Sequence, residues 1–387
     1  MKRFYAHGFG INNLTGERKN MKILSESNVF ENKLPQLKSR QSLFPYLAQD
    51  EKGKILCSFM LGEAMESVDG TTYIAESLDG GKTWLDAKNI FDKSIENPVI
   101  NDNCKITYLG KNKFVCLGYA FPRYDHSLPV GNPETGGLLD DFVFYTQSFD
   151  GGKTWNGFNK IDTYWKNSTE ASAPITVLQN GVWVTPITGF PKWDGKLIGR
   201  RCGKLLVSLD KGKTWNDDVI CMEFEGDNIL CYEQRLCQLE SGEIVVIAWN
   251  ENIETGESLS NHYTISYDNG KTFTKPMDTK IIGQASSVCA IGGSKLFAVH
   301  AIRKGSDKPG VYGYVVDLKD GKWNILEEKI IWQPNTPIFK DNSMAEVFAY
   351  LKFGQPSAIK LQNGNLMVVF WHCDNGQYRV RTIEIEL

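Results

Sequence analysis

The stretch Ser148–Trp155, SFDGGKTW, combines residues that favour a tight turn. An Asp side chain accepts hydrogen bonds from nearby backbone N–H groups, and Gly adopts positive φ without steric cost. Ser and Thr hydroxyls can satisfy further backbone groups, and a Trp can cover the turn. The pattern returns three times, 58 to 71 residues apart, as SLDGGKTW from Ser77, SLDKGKTW from Ser208 and SYDNGKTF from Ser266. Such spacing predicts an architecture of repeated structural units.

A second pattern counts the units independently. A short turn followed by an apolar strand recurs six times, with turn glycines Gly53, Gly110, Gly181, Gly242, Gly293 and Gly364. β-Branched and aromatic residues after a Gly, Asn or Ser turn are typical of β-hairpins. The first five hairpins are each followed by a turn of the first pattern, the fifth being the degraded copy DLKDGKW from Asp317. Because helix signals are nearly absent, we expect an all-β chain with one domain over residues 1–387.

The pattern S-x-D-x-G-x-T-W resembles the Asp-box, or BNR repeat, of the sialidase-like β-propellers. The resemblance implies a six-bladed propeller of four-stranded antiparallel blades, with these turns remote from the active centre. Only QYRVRTIEIEL follows the sixth hairpin. We therefore expect the N-terminal strand to complete the last blade and close the ring, which removes free sheet edges.

The composition excludes several classes of protein. A net charge of −3 without a basic cluster argues against nucleic-acid binding, and no apolar run approaches the roughly 20 residues of a membrane span. The N-terminus has no apolar signal region, which favours the cytoplasm, although a secreted protein without its leader would look the same. The nine Cys form no CxxC pair, so we expect reduced thiols and no metal or cofactor. The oligomeric state stays open.

Blade order predicts which residues surround the mouth of the central channel. In the sialidase-like fold the inner strand precedes each turn, so we counted nine residues back from each turn glycine. This gives Phe44, Asn101, Ser172, Glu233, Gln284 and Gln355. Five of these six are polar where an apolar residue would be expected. A long loop, Tyr119 to Asp141, leaves the second strand of the second blade, and long loops on rigid scaffolds tend to be functional.

The sialidase catalytic signature is only partly present. Sialidases use three Arg for the substrate carboxylate, a Tyr nucleophile with a Glu, and an Asp acid/base; here Glu233 in YEQRLCQLESG matches the Glu. Leu43 stands where the first Arg is expected, and Arg40 is a candidate substitute. The second Arg is replaced around Trp249 and Asn250. Gln355 occupies the Tyr position, and Tyr350 is displaced from it. The sequence thus argues against sialic acid cleavage and for another sugar.

Carboxylates, cations and aromatics near the expected mouth provide the candidate site. The predicted catalytic residues are Glu233, Glu170 and Asp125, because glycoside cleavage needs a proton donor and a second group that activates water or attacks carbon. The predicted substrate-binding residues are Arg40, Arg123, His126, Asp194, Arg235, Trp249, His300, Gln355, Trp371 and His372.

Each candidate also has a purely structural interpretation. Asp194, in WDGK, has the sequence context of a turn former, and each Trp is as well suited to pack between blades as to bind ligand. A lone His such as His300 is more often structural than catalytic. Glu233 is the strongest candidate, because a charge beside an apolar strand is costly to bury without a purpose.

Three functions remain open from the sequence. The first is an exo-acting glycoside hydrolase of altered specificity, with a carbohydrate as its partner. The second is a polysaccharide lyase or other carbohydrate-active enzyme in which a His or Tyr base acts with an Arg on a uronate carboxylate, which would give His126, His372 and Arg123 the main roles. The third is a non-catalytic propeller that binds glycan or protein. The fold alone does not separate them.

Overall fold

The computed structural model describes residues 20–92, 98–226, 228–303, 306–335 and 351–387. These residues form six antiparallel blades, which confirms the predicted six-bladed, all-β propeller. The only helical element in these ranges is a short 3₁₀ turn, Lys319–Gly321.

The strands are numbered in chain order, and each blade is numbered from its first inner strand. Strand β1 (Lys22–Glu31) precedes blade 1. Blade 1 contains β2 (Gln41–Gln49), β3 (Ile55–Gly62), β4 (Thr71–Ser77) and β5 (Lys88–Asn89). Blade 2 contains β6 (Val99–Gly110), β7 (Lys113–Arg123), β8 (Phe142–Ser148) and β9 (Asn159–Ile161). Blade 3 contains β10 (Thr169–Glu170), β11 (Thr176–Val177), β12 (Trp183–Gly189), β13 (Gly203–Ser208) and β14 (Asn216–Met222).

The other half of the ring follows the same plan. Blade 4 contains β15 (Tyr232–Gln238), β16 (Ile244–Trp249), β19 (His262–Ser266) and β20 (Met277–Asp278), with a small separate hairpin of β17 (Glu251–Asn252) and β18 (Glu257–Ser258). Blade 5 contains β21 (Ser286–Gly292), β22 (Lys295–Ile302), β23 (Gly310–Asp317) and β24 (Asn324–Trp332). Blade 6 contains β25 (Phe353–Lys360), β26 (Leu366–Asp374) and β27 (Gln377–Glu386).

Blade 3 departs from the plan at its inner strand. Strands β10 and β11 both pair with β12, so the inner strand is present in two short pieces. Pro174 lies between them and has no N–H to donate to a ladder. The break leaves Glu170 at the end of a two-residue strand.

The ring closes through the two ends of the chain. Strand β1 pairs antiparallel with β27, from Lys22 opposite Glu386 to Glu31 opposite Arg379. The guanidinium of Arg379 also lies 2.8 Å from the Glu31 carboxylate. This pairing confirms that the N-terminal strand completes the last blade.

The hydrophobic core is divided into interfaces between neighbouring blades. Six clusters of buried side chains each draw on two adjacent blades around the ring. A second strand is therefore covered on both faces, and all eight residues of β3 are buried. This explains why the second strands read as continuous apolar runs in the sequence.

The repeat turns lie at the end of the propeller away from the starts of the inner strands. Gln49 pairs with Ile55, and Ile55 pairs with Ser77, so the turn after β2 and the turn after β4 share one end. We call this end the turn face and the opposite end the mouth face. Asp150 shows the geometry of the repeat: its Oδ1 accepts the N–H groups of Lys153 and Thr154 at 3.0 Å, and its Oδ2 accepts the Thr154 hydroxyl at 2.6 Å.

The same contacts hold three other turns. The Oδ1 atoms of Asp79, Asp210 and Asp268 accept the N–H groups of Thr83, Thr214 and Thr272. The fifth copy differs because it lacks the Ser and the Thr. There the chain forms the 3₁₀ turn, Asp320 has a φ of 60°, and Asp317 accepts the N–H of Lys319.

Candidate functional site

A cavity of about 190 Å³ lies at the mouth face. It receives side chains from five of the six blades, which places it over the central channel. Its lining residues are Phe44, Asn103, Lys105, Tyr119, Glu170, Ser172, Phe190, Tyr232, Glu233, Arg235, Trp249 and Gln355. Two carboxylates, two cations and five aromatic rings therefore converge in one small space.

Three inner strands turn sharply where they reach this cavity. Phe44, Glu233 and Gln355 have φ values of 56°, 49° and 41°, in the left-handed region. Each lies at an irregular step in the ladder between its inner strand and the next strand. A left-handed non-glycine residue costs about 1–3 kcal/mol, and bulges next to functional sites redirect side chains. The three strained residues therefore indicate that this cavity is the functional site.

Glu233 contacts both a neighbouring blade and the opposite side of the channel. Its Oε1 accepts a 2.6 Å hydrogen bond from Nε2 of Gln355. Its Oε2 is shielded from solvent and has no hydrogen-bond partner among the described residues. The bulge also frees the backbone N–H of Glu233, which donates to both carboxylate oxygens of Glu170 at 3.0 and 3.1 Å. One carboxyl oxygen of Glu233 is thus left with unused bonding capacity.

Glu170 is almost completely buried beside Glu233, at 4% exposure. Ser172 Oγ contacts its carboxylate in addition to the Glu233 backbone. Burial, reinforced by the negative charge of Glu233, raises the pKa of Glu170 to about 7. Its carboxyl group therefore exchanges a proton near neutral pH.

Two basic side chains, Arg235 and Lys105, line the cavity together with the carboxylates. Arg235 donates from Nη1 to Ser172 Oγ at 3.0 Å and to the Gln234 carbonyl at 2.8 Å. Strand alternation predicts Glu233 and Arg235 on one face, but the bulge interrupts the alternation, and these bonds of Arg235 lead away from Glu233. Lys105 donates to the carbonyl of Phe44 and to Asn103 Oδ1, and burial together with the charge of Arg235 lowers its pKa to about 7.

Aromatic rings form one wall of the cavity. Tyr119 packs edge-on against Phe190, and Phe190 packs edge-on against Tyr232, with centroids 5.7 Å apart in both pairs. Burial and the charge of Glu170 raise the pKa of both tyrosines, so neither hydroxyl is activated toward its anion. The indole Nε1 of Trp249 is buried without a hydrogen-bond partner among the described residues. The wall thus offers apolar ring faces and one unused N–H donor.

The long loop does not bring its candidates to the cavity lining. Arg123 is buried, and its guanidinium donates to the carbonyls of Glu66 and Leu128, where it fixes the path of the loop. Asp125 is exposed and accepts the N–H and hydroxyl of Ser127, which lower its pKa. His126 beside it is also exposed.

Two further candidates at the mouth face have local partners. Arg40 forms an ion pair with Asp69 at 3.1 Å and does not line the cavity. Asp194 is exposed, accepts the N–H of Lys196 two residues on, and so has the contacts of a turn former.

The remaining candidates are buried beneath or beside the cavity. His300 is fully buried, with Nδ1 2.9 Å from Asn261 Oδ1. His372 packs against Trp332 and Phe370, and burial lowers its pKa to about 3. Trp371 is also fully buried, and its Nε1 donates to Oε1 of Gln355. Of the thirteen predicted residues, Glu170, Glu233, Arg235, Trp249 and Gln355 line the cavity; Tyr350 lies outside the described residues.

Sequence reasoning missed several lining residues. Asn103 and Lys105 belong to NDNCKITYLG, where polar residues alternate along an inner strand, and that alternation was the available signal. Arg303 follows the second strand of blade 5, where the sequence places it near the mouth, but it was not among the predicted binding residues: burial lowers its pKa, the charge of Glu233 opposes this, and its Nη1 donates to the Phe353 carbonyl at 3.3 Å. No sequence signal singles out Phe190.

In the parts of the chain that the structure describes, no cluster of three or more His, Cys, Asp and Glu side chains could hold a metal ion. Within the same ranges, no helix has the length and apolar character that crossing a membrane requires.

Solved structures share this architecture at low sequence identity. A protein of unknown function from Dyadobacter fermentans superposes with a TM-score of 0.73, at 16% identity over 95% of this chain and 100% of its own. The NanB sialidase from Streptococcus pneumoniae superposes with a TM-score of 0.64, at 14% identity over 93% of this chain and 70% of its own. The fold is that of the sialidases.

A third example with the sialidase fold is the Trypanosoma rangeli sialidase in complex with the inhibitor DANA. It has a TM-score of 0.60 and 15% identity, and the match covers 89% of this chain but only 55% of that sialidase. No protein-family model matches the sequence, and comparison with curated proteins also gives no match. At these identities the likeness shows the shared fold alone.

Proposed function

We propose that the protein is an exo-acting glycoside hydrolase whose substrate is a sugar other than sialic acid. The observation that carries the proposal is the pair of glutamates in the mouth cavity. Glu170 and Glu233 are in direct contact, and Glu170 has a pKa of about 7. A pair of carboxyl groups in different environments is the usual basis of acid–base glycoside chemistry.

The two glutamates take different roles. Glu170 is the proton donor to the leaving oxygen, because burial and the charge of Glu233 keep its carboxyl group protonated up to about neutral pH. Glu233 is the carboxylate that activates water or attacks the anomeric carbon through Oε2, the oxygen without a partner in the described residues. Arg303 lies within electrostatic range of Glu233 and places a positive charge on this side of the cavity.

The lining chemistry supports a single sugar ring as ligand. A volume of about 190 Å³ is below the roughly 300 Å³ at which pockets for drug-sized ligands begin, which suits one terminal residue of a glycan. Glu233 Oε2 is an unused acceptor, while Arg235 Nε and Trp249 Nε1 are unused donors. Buried polar atoms without partners mark places where a ligand or an ordered water binds. The sialidase fold of the solved relatives is consistent with a sugar ligand.

The site argues against the chemistry of a sialidase. Gln355 stands at the position where the resemblance places a tyrosine nucleophile, and an amide does not attack an anomeric carbon. Tyr119 and Tyr232 have raised pKa values, which disfavours the phenolate. Leu43 is fully buried in an apolar cluster with Met60 and Trp371, so the first-blade arginine has no counterpart at that position.

Neither of the other two functions has comparable support. A lyase built on His126, His372 and Arg123 would need these groups at the cavity, and none of them lines it. The tyrosines that do line it, Tyr119 and Tyr232, have raised pKa values, which disfavours their action as bases. A glycan-binding propeller would use the aromatic wall, but it gives no reason for a buried carboxyl with a raised pKa beside a second carboxylate.

Hydrolysis of a panel of aryl glycosides tests the proposal. The panel contains neutral sugars, uronic acids and a sialoside, and we expect turnover of a member other than the sialoside. Glu233→Gln keeps the shape of the side chain and removes its charge, so kcat is expected to fall by about a hundredfold or more while the fold stays intact. Glu243→Gln, in a turn on the opposite face, is the matched control and is expected to keep the wild-type rate.

Two results would contradict the proposal. Sialoside turnover with kcat/KM in the usual enzymatic range of about 10⁴–10⁸ M⁻¹s⁻¹ would show that the sugar class is wrong. A Glu233→Gln protein that keeps the wild-type kcat on a confirmed substrate would show that the catalytic carboxylate lies elsewhere. Asp125→Asn then becomes the next variant to measure.

A further inference from the structure

A chain of three side chains connects the buried wall of blade 6 to Glu233. The indole Nε1 of Trp371 donates to Oε1 of Gln355. The amide Nε2 of Gln355 donates to Oε1 of Glu233 at 2.6 Å. Trp371 itself is fully buried and packs against Tyr378, with ring centroids 5.9 Å apart. The chain therefore begins at a fixed point in the core and ends at a carboxylate of the cavity.

Trp371 determines which way the Gln355 amide faces. An indole N–H is a donor only, so the Gln355 atom beside it must be the carbonyl oxygen. The amide NH₂ group then has to point toward Glu233, and it can bond there only to an acceptor. Without Trp371 Nε1, the two amide orientations would compete. A buried donor thus selects the amide orientation in which the NH₂ group bonds to Oε1 of Glu233.

We propose that Gln355 and Trp371 are positioning residues that fix Oε1 of Glu233 and leave Oε2 as the reacting oxygen. Gln355 acts on Glu233 directly, and Trp371 acts through Gln355. The catalytic consequence rests on the proposed glycosidase function, whereas the hydrogen-bonded chain itself does not. Trp371, which the sequence predicts to bind the sugar, is thereby assigned a role behind the cavity lining, where it orients Gln355.

The backbone supports a dedicated arrangement. Both Glu233 and Gln355 occupy the left-handed region at bulges, although they lie in different blades, 122 residues apart in the chain. Residues held in strained conformations persist where the surroundings over-determine them, and such residues cluster at functional sites. Straight strands at these two positions would direct both side chains differently. The two strained bulges therefore direct Glu233 and Gln355 toward each other, where their side chains form one hydrogen bond.

Charged groups from its own and other blades also lie near Glu233. Glu170 of blade 3 contacts its backbone, Arg303 lies within electrostatic range at the end of blade 5, and Lys105 of blade 2 and Arg235 of blade 4 line the same cavity. None of the hydrogen bonds described above for Lys105, Arg235 or Arg303 goes to a Glu233 carboxylate oxygen. Gln355 is the described residue that bonds to this carboxylate, so it determines the orientation of the group.

Two variants break the chain at different links. Gln355→Glu has the same size and keeps an acceptor for Trp371, but it replaces the donated NH₂ with an oxygen facing Glu233. Trp371→Phe keeps the packed ring and removes only the N–H donor. Gln355→Asn is the variant least prone to unfolding, because Asn tolerates the left-handed region and is one methylene too short to reach both partners. Trp323→Phe, in blade 5, is the control for loss of a Trp.

Steady-state kinetics on the substrate found in the panel separate positioning from sugar binding. We expect Gln355→Glu and Gln355→Asn to lower kcat by about ten- to a hundredfold with KM nearly unchanged, as for other residues that orient a catalytic group. Trp371→Phe is expected to lower kcat less, because the amide can still adopt the productive orientation. A raised KM with an unchanged kcat would instead show that Gln355 binds the sugar, and would overturn the proposal.

A spectroscopic measurement decides the point without any activity. The indole ¹H–¹⁵N signal of Trp371 is identified by its loss in Trp371→Phe. We expect Glu233→Gln to move this signal while the Trp323 signal stays in place, and we expect the shift to vanish in the Gln355→Asn background. A Trp371 signal that ignores Glu233→Gln, or that moves equally without Gln355, would refute the chain. If the wild type hydrolyses nothing, the proposed function fails, and this measurement still tests the positioning.

Discussion

At the scale of single residues, the site contains two glutamates in different environments. Glu170 is enclosed and carries a raised pKa, whereas Glu233 is held by an amide donor and lies within range of an arginine. The Glu233 backbone N–H holds the Glu170 carboxylate next to the Glu233 side chain, whose charge adds to the effect of burial on the pKa of Glu170, while the hydrogen bond itself opposes that effect.

The pH dependence of the rate follows from Glu170. A general acid has to be protonated, so kcat is expected to fall as the pH rises through about 7, the pKa of Glu170. Measuring kcat from pH 5 to 9 checks this. Because Gln does not titrate, Glu170→Gln should lack the part of the alkaline decline that Glu170 causes, and Lys105→Met, which removes the other cavity group with a pKa of about 7, should keep it. A wild-type rate that rises steadily through pH 7 would show that Glu170 acts as a base.

The same shift affects stability. The pKa of Glu170 is raised from 4.5 to about 7, so the folded state binds its proton more tightly than the unfolded state. Its contribution is fully present below pH 4.5 and is lost as the pH rises through about 7. We expect the free energy of unfolding of the wild type, relative to Glu170→Gln, to drop by roughly 3 kcal/mol over this window. Urea unfolding of both proteins at pH 4.5, 6 and 8 measures it, and a constant difference would contradict the raised pKa.

At the scale of elements, the repeat turns and the bulges show how much the sequence reveals. The turn motif is local: Ser148, Asp150 and Thr154 satisfy their own loop, so its presence predicts a blade hairpin wherever it occurs. The bulges at Glu233 and Gln355 have no such local signature, since a left-handed residue is held there by contacts from other blades. The fold could therefore be predicted from short patterns, whereas the orientation of Arg235 could not.

The site shows the same division. Counting back from the turn glycines found Glu233 and Gln355, because their distance from the turn is fixed within one hairpin. It could not predict that Glu170 would lie under Glu233, which depends on the break at Pro174 and on how blades 3 and 4 pack. The path of the long loop depends on Glu66 in blade 1, which accepts the N–H of Val130, and this tertiary contact leaves Asp125 in solvent.

The repeat turns provide the prediction at this scale. Asp150→Ala removes the acceptor for two backbone N–H groups and one hydroxyl. Because the loop is exposed, water replaces part of the lost hydrogen bonding. We therefore expect the free energy of unfolding to fall by about 1 kcal/mol. Substrate KM is expected to stay unchanged, since the turn lies on the turn face. Thermal melts and kinetics of Asp150→Ala and Asp150→Asn test this, and a large loss of kcat in a folded protein would contradict it.

At the scale of the whole molecule, stability depends on six interfaces between blades. The interface between blades 6 and 1 contains Val29 of β1, which is 6% exposed, whereas Leu24 on the same strand is 42% exposed. Most of β1 is partly or fully exposed, because it is the outermost strand of its blade, so its packing against the ring depends on a few side chains such as Val29.

A charge on the closing strand tests the ring. Val29→Asp buries an unpaired carboxylate between two blades and is expected to lower the free energy of unfolding by about 3 kcal/mol or more. Leu24→Asp is the matched control on the same strand and is expected to change stability little. Chemical denaturation with light scattering measures both stability and association. If both substitutions lowered the free energy of unfolding equally, the buried face of β1 would contribute no more to stability than its exposed face.

The pairing of β1 with β27 also sets the order of events while the chain is being made. Ser27 and Thr382, which face each other across this pair, are 355 residues apart. At translation rates of about 5–20 residues per second, the first strand waits roughly 20 to 70 s for its partner to leave the ribosome. During that time the backbone N–H and C=O groups of β1 have no strand of blade 6 to pair with. Contacts of such long sequence separation also form slowly. Closure of the ring through β1 and β27 is therefore expected to be the last step of folding.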